Sequence, residues 1–162
     1  MKKEILLYSS KKLKSYIGKQ LEVEKIKESS FDSHELYHWY GDVFFYQRKR
    51  FLIFSNELTR FIFAVGPYTI NKKQPLFELF KEGLEAALTF HGIDSNAYLQ
   101  HLVGLAMNPV AHPGSTAHLN TAKGDYLYWL AYDGNTAKPE EVPRDFNNRV
   151  NNLPVTKKSQ KG

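Results

Sequence analysis

Apolar positions change period several times along this chain. Residues 43–65, VFFYQRKRFLIFSNELTRFIFAV, hold three apolar runs broken by Gln47-Arg48-Lys49-Arg50 and by Ser55-Asn56-Glu57. The runs are rich in Phe, Ile, Val, Tyr and Trp, residues that suit a pleated, half-buried surface, and predict strands at about 38–46, 50–55 and 60–65. The short separations, 47–49 and 56–59, favour antiparallel hairpins. The middle strand contains FLIF, apolar at successive positions, so both of its faces are covered and it is central. Upstream, residues 4–8 (EILLY) read as a short strand. Ser9-Ser10 can cap a helix over about 11–17, with Gly18 at its end. Residues 19–35 are charged and serine-rich and read as a connecting loop.

Gly66-Pro67 ends the third strand of the meander. From Pro75 the period becomes helical: Leu76, Phe77, Phe80, Leu84, Ala87, Leu88 and His91 recur at three and four residues, and Gly92 closes the element. Ile93-Asp94-Ser95 opens another helix, with Tyr98, Leu99, Leu102, Val103 and Ala106 on one side. Residues 108–112 offer a fifth strand. A last helix starts near 113–115 and runs to about 132, burying Leu119, Ala122, Tyr126, Leu127 and Leu130. From Asp133 on, Asn, Pro, Lys and Glu dominate, which predicts an irregular, partly ordered tail. The chain therefore reads as a single α+β domain over 1–132 and a polar tail over 133–162. Its sheet is expected to be antiparallel, built from the N-terminal strand, the meander and the fifth strand, with three to four helices packed on one face.

Composition adjusts this picture only in part. At 162 residues with 42% hydrophobic and 14% aromatic content, one well-filled core is expected. No apolar run approaches the roughly 20 residues of a membrane span. The opening MKKEILLYSS has too short an apolar stretch for a secretory signal, so a cytoplasmic protein is expected. The absence of cysteine excludes disulfides, thiolate zinc sites and cysteine nucleophiles. The net charge of +5 is unevenly placed. Residues 1–30 carry eight lysines against four acids, residues 31–133 eight bases against ten acids, and residues 134–162 six bases against three acids. The middle is slightly acidic and the ends are basic, a pattern that serves either a solubilising role or a phosphate-binding one.

Arg48, Lys49 and Arg50 lie at a hairpin tip, where arginine can pair bidentately with phosphate or carboxylate and Phe45, Tyr46 and Phe51 stand beside it to stack. The plain alternative is a solvated turn whose charges keep strand edges apart. Tyr46 and the loop pair Lys72-Lys73 complete the candidate binding set. Asn56 and Thr59 suit turn chemistry. Asn120 is a mediocre helix former inside a helix, which points to a structural bond at a sheet edge or to a cleft. For catalysis, HPGSTAH (112–118) sets Ser115 between His112 and His118 near a helix start, with Asn120 close by. A helix cap explains the same residues, and no Gly-x-Ser-x-Gly elbow exists. His34 and His38 are four apart, but no carboxylate stands at a ligand offset, so no metal site is expected. Without a Walker loop, a GxGxxG or a paired-carboxylate signature, no cofactor is expected either.

The meander also carries a likeness. Ser10-Lys11-Lys12-Leu13, Trp39 with Asp42-Val43-Phe44, Arg48-Lys49-Arg50, Ile53-Phe54-Ser55-Asn56-Glu57 with Thr59, Phe61, Phe80-Lys81-Glu82-Gly83-Leu84 and Leu119-Asn120 follow one another in a familiar order. In this the chain resembles a bacterial family of small proteins classed as a domain of unknown function, the DUF6933 type, over about residues 4–131. That family has Thr-Lys-Lys-Leu, Trp-His-Ala-Asn-Leu-Phe, Arg-Arg-Lys and a late Arg-Ser-x-x-Gly-x-Met-Asn at these places. The chain departs from it at Tyr40, at Pro113-Gly114 where the Arg-Ser would stand, and at Ala117 for the Gly. The resemblance implies the fold, and a mobile-element or accessory setting such as phage defence, counter-defence or toxin–antitoxin control. It implies no activity.

The expectation is thus a non-enzymatic binding module acting on a protein partner, away from any membrane. A nucleic-acid partner held by the basic tip and ends is the first alternative. A hydrolase or nuclease using His112, Ser115 and His118 is the second. Oligomeric state is not readable from the sequence.

Overall fold

The computed structural model describes residues 2–23, 26, 35–68, 75–108, 113–132 and 137–150, with side chains for all of these except 19–23 and 113–116. The chain runs β1 (Lys3–Ser9), α1 (Lys11–Val23), a 3-10 turn (Glu35–Tyr37), β2 (His38–Tyr46), β3 (Lys49–Asn56), β4 (Ile62–Val65), α2 (Leu76–Phe90), α3 (Asn96–Leu99), β5 (Leu102–Asn108), α4 (Pro113–Tyr132), a second 3-10 turn (Pro139–Glu141) and α5 (Val142–Val150). The five strands form one sheet in the order β4-β3-β2-β1-β5. The α+β class, the N-terminal strand and the meander stand as the sequence predicts.

Four features differ from the expectation. The sheet is mixed, because β1 pairs parallel with both β2 and β5. The physical cause is connection length: β2 and β3 are joined by two residues and must turn back, whereas β1 reaches β2 through a helix and returns in the same direction. Second, helices cover both faces. Alternation along β3 sends Leu52 and Phe54 to one side, with Leu13 and Ile17 of α1 and Leu76, Phe80 and Leu84 of α2. It sends Phe51 and Ile53 to the other, with Leu119, Ala122, Tyr126 and Leu130 of α4. A strand apolar on both faces requires cover on both. Third, the segment after Asp133 is no irregular tail throughout. Val142, Phe146 and Val150 recur at helical spacing, and α5 buries all three in the second core.

The fifth strand also moves. Leu102 to Ala106, expected on a helix, belong to β5, and α3 ends at Leu99. The apolar residues there satisfy either period, and pairing with the exposed side of β1 decides for the strand.

Local contacts account for the turns. Asn56 Oδ1 accepts the backbone N–H of Leu58 and of Thr59, each at 3.0 Å, and its Nδ2 donates to Leu36 O at 2.8 Å. This is the turn chemistry expected of it. Gly83 lets α2 close on β4: a Cβ there would lie 2.1 Å from Val65 Cγ1. Trp39 Nε1 donates to Tyr98 Oη at 2.9 Å, and Tyr98 in turn donates to Leu36 O at 2.8 Å, so the strap before β2 is pinned to α3. Burial raises the Tyr98 phenol well above its usual range.

Candidate functional site

The β2–β3 hairpin closes through Gln47 and Arg48, with φ of 50° and 66°. Two successive positive φ values make the tight turn whose twist matches paired strands. Tyr46 then faces Lys49 and Phe45 faces Arg50 across the ladder. Because successive residues alternate sides, the three cations do not act as one group. Arg48 and Lys49 are exposed at the tip, and Arg50 is half-buried.

Arg50 meets α1. That helix begins where Ser10 Oγ accepts the N–H of Leu13 at 3.0 Å. Leu13 and Ile17 point into the core, so Lys11, Lys12 and Lys14 are left exposed, with Tyr16 at the boundary. The Arg50 guanidinium carbon lies 4.3 Å from the Tyr16 ring centre and 5.9 Å from that of Phe45. Tyr16 meets Phe45 edge-on at 5.4 Å, and Lys12 Nζ stands 5.2 Å over the Phe45 ring. Phe45 itself is 38% exposed. Lys12 and Tyr16 of the N-terminal helix and Phe45 and Arg50 of the hairpin thus form one cationic–aromatic face. Among the described residues, none of Lys11, Lys12, Lys14, Arg48, Lys49 and Arg50 has a carboxylate partner. Arg50 Nε is buried without a hydrogen bond, so its charge rests against the rings.

Tyr46 belongs elsewhere. Its hydroxyl donates to Ala137 O at 2.8 Å and accepts from Gln47 Nε2 at 3.1 Å, on the side away from Arg50. Burial, then the charge of Asp145, raises its phenol above the usual value. It anchors the approach to α5. Tyr126 does likewise from α4, donating to Asp145 Oδ2 at 2.8 Å, and Arg149 bonds the same carboxylate at 3.2 Å.

Of the catalytic candidates, only His118 and Asn120 have described side chains. His112 lies outside them, as do Lys72, Lys73 and His34, and the Ser115 side chain is not among them. His118 is half-buried beside Arg60; burial first, then the Arg60 charge, lowers its imidazole below the usual 6.5. Asn120 comes two residues, about 200° of helix, later, and it faces outward on α4. No group of three His, Asp or Glu side chains lies together among the described residues.

Two partners escaped the sequence reading. Lys12 and Tyr16 carried no local signal of nearness to the hairpin. Lys123 and Asp42, 81 residues apart, form an ion pair at 2.7 Å that no spacing rule could find.

No helix of the described residues is long and apolar enough to cross a membrane. No curated protein and no solved structure gives a match to this chain. One family model does match, over residues 6–162, and it spans α5 as well as the meander; the chain belongs to that family, described as a domain of unknown function (DUF6933).

Proposed function

We propose that this chain is a non-enzymatic binding module whose cationic–aromatic face takes single-stranded nucleic acid. The observation that carries the reading is Arg50 stacked on Tyr16 beside the exposed Phe45 ring and Lys12. Cations that lack carboxylate partners can follow a phosphate backbone, and an exposed ring offers each base a stacking surface without reading its sequence. On charge counts alone the slightly acidic middle of the chain favours a protein partner. What supports the nucleic-acid reading instead is that Arg50 of the hairpin and Lys12 of the N-terminal helix meet around Phe45 on one surface, as a phosphate-binding face needs. An accessory or mobile-element setting, supported by the family resemblance, and a cytoplasmic location are part of the same proposal.

The test is fluorescence anisotropy with a labelled oligothymidylate of about 12 nucleotides, inside the ~4–16 nucleotide range of such sites. Binding that weakens steeply with salt is expected, together with a roughly tenfold or greater loss in Phe45→Ala, in line with ~1–3 kcal/mol per stacked base. No binding at low salt would sink the reading. The protein-partner reading rests on a separate surface, the groove between α2 and α5.

A further inference from the structure

At the far edge of the sheet, α2 and α5 approach each other over β4 and leave a groove of about 690 Å³. Its floor is unusual. Gly83 brings α2 down onto Val65, so the groove bottoms out on the edge strand at Ala64 and Val65. The ladder that bonds Asn56 N–H to Phe61 O, just before β4, makes Phe63 and Val65 the hydrogen-bonded positions of that strand. The peptide groups of Ala64 therefore point away from β3, toward the groove. Apolar walls come from Leu79, Pro143 and Phe90.

One polar group in this lining has no account within the fold. Asn147 is only 4% exposed, it lines the groove, and its Oδ1 is buried without a hydrogen-bond partner. Its neighbours on α5, Phe146 and Val150, pack into the core, whereas Asn147 turns to the groove lining. A buried amide oxygen without a donor is costly to keep, and a donor supplied from outside recovers that cost.

The rim has a sign. Among the described lining residues, Glu85 and Glu140, with Glu82 nearby, border the groove and Arg144 is the cation, its guanidinium drawn onto the Phe90 ring at 5.7 Å. Glu141 extends the acidic border past Arg144, whereas the Asp145 carboxylate there is taken up by Arg149 and Tyr126. The surface is opposite in sign to the Lys12–Arg50 face.

We infer that this groove binds a short, extended, basic peptide segment of a partner protein. Asn147 Oδ1 accepts a backbone N–H of the peptide, alternate small apolar side chains rest on Phe90 and Pro143, and Lys or Arg side chains meet Glu85 and Glu140. Main-chain bonds supply affinity and the acidic rim supplies selectivity, as in other recognition of extended segments. The inference shares the binding-module reading but is independent of the cationic face.

The experiment is panning of a phage-displayed library of random peptides, about seven residues each, a length that spans some 23 Å at ~3.3 Å per residue, on the full chain, followed by affinity measurement of the enriched peptides. Expected are peptides rich in Lys or Arg that lose tenfold or more in affinity on Asn147→Leu and on Glu85→Lys with Glu140→Lys. Asn147→Leu removes an orphan polar group and should fold at least as well as the parent, as checked by thermal melting. The rim pair is exposed and serves as the second variant. No enriched peptide, enrichment without basic residues, or equal binding by parent and variants overturns the inference. Peptide binding that persists where oligonucleotide binding fails overturns the cationic-face reading alone, and the reverse result overturns this one alone.

Discussion

Lys123 Nζ lies 2.7 Å from Asp42 Oδ2 and ties α4 to the middle of β2. Asp42 is 3% exposed, and its other oxygen accepts from Ser10 Oγ at 2.7 Å and from the Val43 N–H at 2.8 Å. Ser10 is also the cap of α1, so one carboxylate joins the sheet to a helix on each of its faces. Removing Lys123 strands that carboxylate in the interior. Lys123→Met is expected to cost about 2 kcal/mol, less than the ~3–5 kcal/mol of a fully buried pair, because Lys123 is partly solvated. Asp42→Leu combined with Lys123→Met should cost less than the two single changes summed. Urea unfolding of the four proteins measures this, and strict additivity would refute the coupling.

The hairpin cations should separate in mutagenesis. Arg48→Glu with Lys49→Glu touches only exposed side chains and is expected to shift stability by no more than about 0.5 kcal/mol while reducing oligonucleotide affinity. Arg50→Ala removes a guanidinium packed on Tyr16 and should destabilise by about 1 kcal/mol. Equal melting temperatures for Arg50→Ala and the parent would show the stack to be without energetic weight.

Gln47 and Arg48 both sit at positive φ, where side chains other than Gly, Asn and Asp are strained. Gln47→Asn with Arg48→Gly is expected to stabilise the hairpin by about 1 kcal/mol. A lower melting temperature would mean that contacts of Gln47, such as its bond to Tyr46, outweigh the strain.

Gly83→Ala sets two effects against each other. Alanine is the better helix former by about 1 kcal/mol, but its Cβ would land 2.1 Å from Val65 Cγ1. The clash lies in a closed interface and should win, with a net loss of roughly 1–3 kcal/mol. Val65→Ala added to it should recover part of that loss.

His118 makes stability depend on pH. Its folded value lies below its unfolded one of about 6.5, so protonation favours the unfolded chain. The contribution is complete above about pH 6.5 and is lost as pH falls from there toward the lowered folded value. Replacing His118 with Gln should flatten the melting temperature against pH between about 7 and 5. An unchanged slope would place the titration on another group.

Phe146→Ala should cost ~3–5 kcal/mol, since the ring is fully buried, stacks with Phe44 and meets Tyr126 edge-on. A loss below about 1 kcal/mol would show α5 to be an appendage, as the polar composition after Asp133 suggests.

The meander and its central strand were legible because the period of two and the turn residues are local properties. Residues 38–46 follow the predicted bounds, and FLIF is buried on both faces as its pattern requires. The same pattern already implied helices on both sides of the sheet, a consequence that composition and element order do not reveal. Short segments were less legible. α5 has three apolar residues in nine, a weak signal that becomes a helix only because the second face of the sheet needs cover. The parallel pairing of β1 with β2 and β5 depends on where the crossover helix returns the chain.

For the candidate site, the sequence by itself determined that Arg48, Lys49 and Arg50 stand at a tip beside aromatic residues. Only the tertiary structure decided that Arg50 turns to Tyr16, that Tyr46 turns away, and that Lys12 completes the face. Side-chain neighbours within a few residues follow from backbone period. Neighbours across the fold follow from packing, and packing is a property of the assembled sheet and its helices.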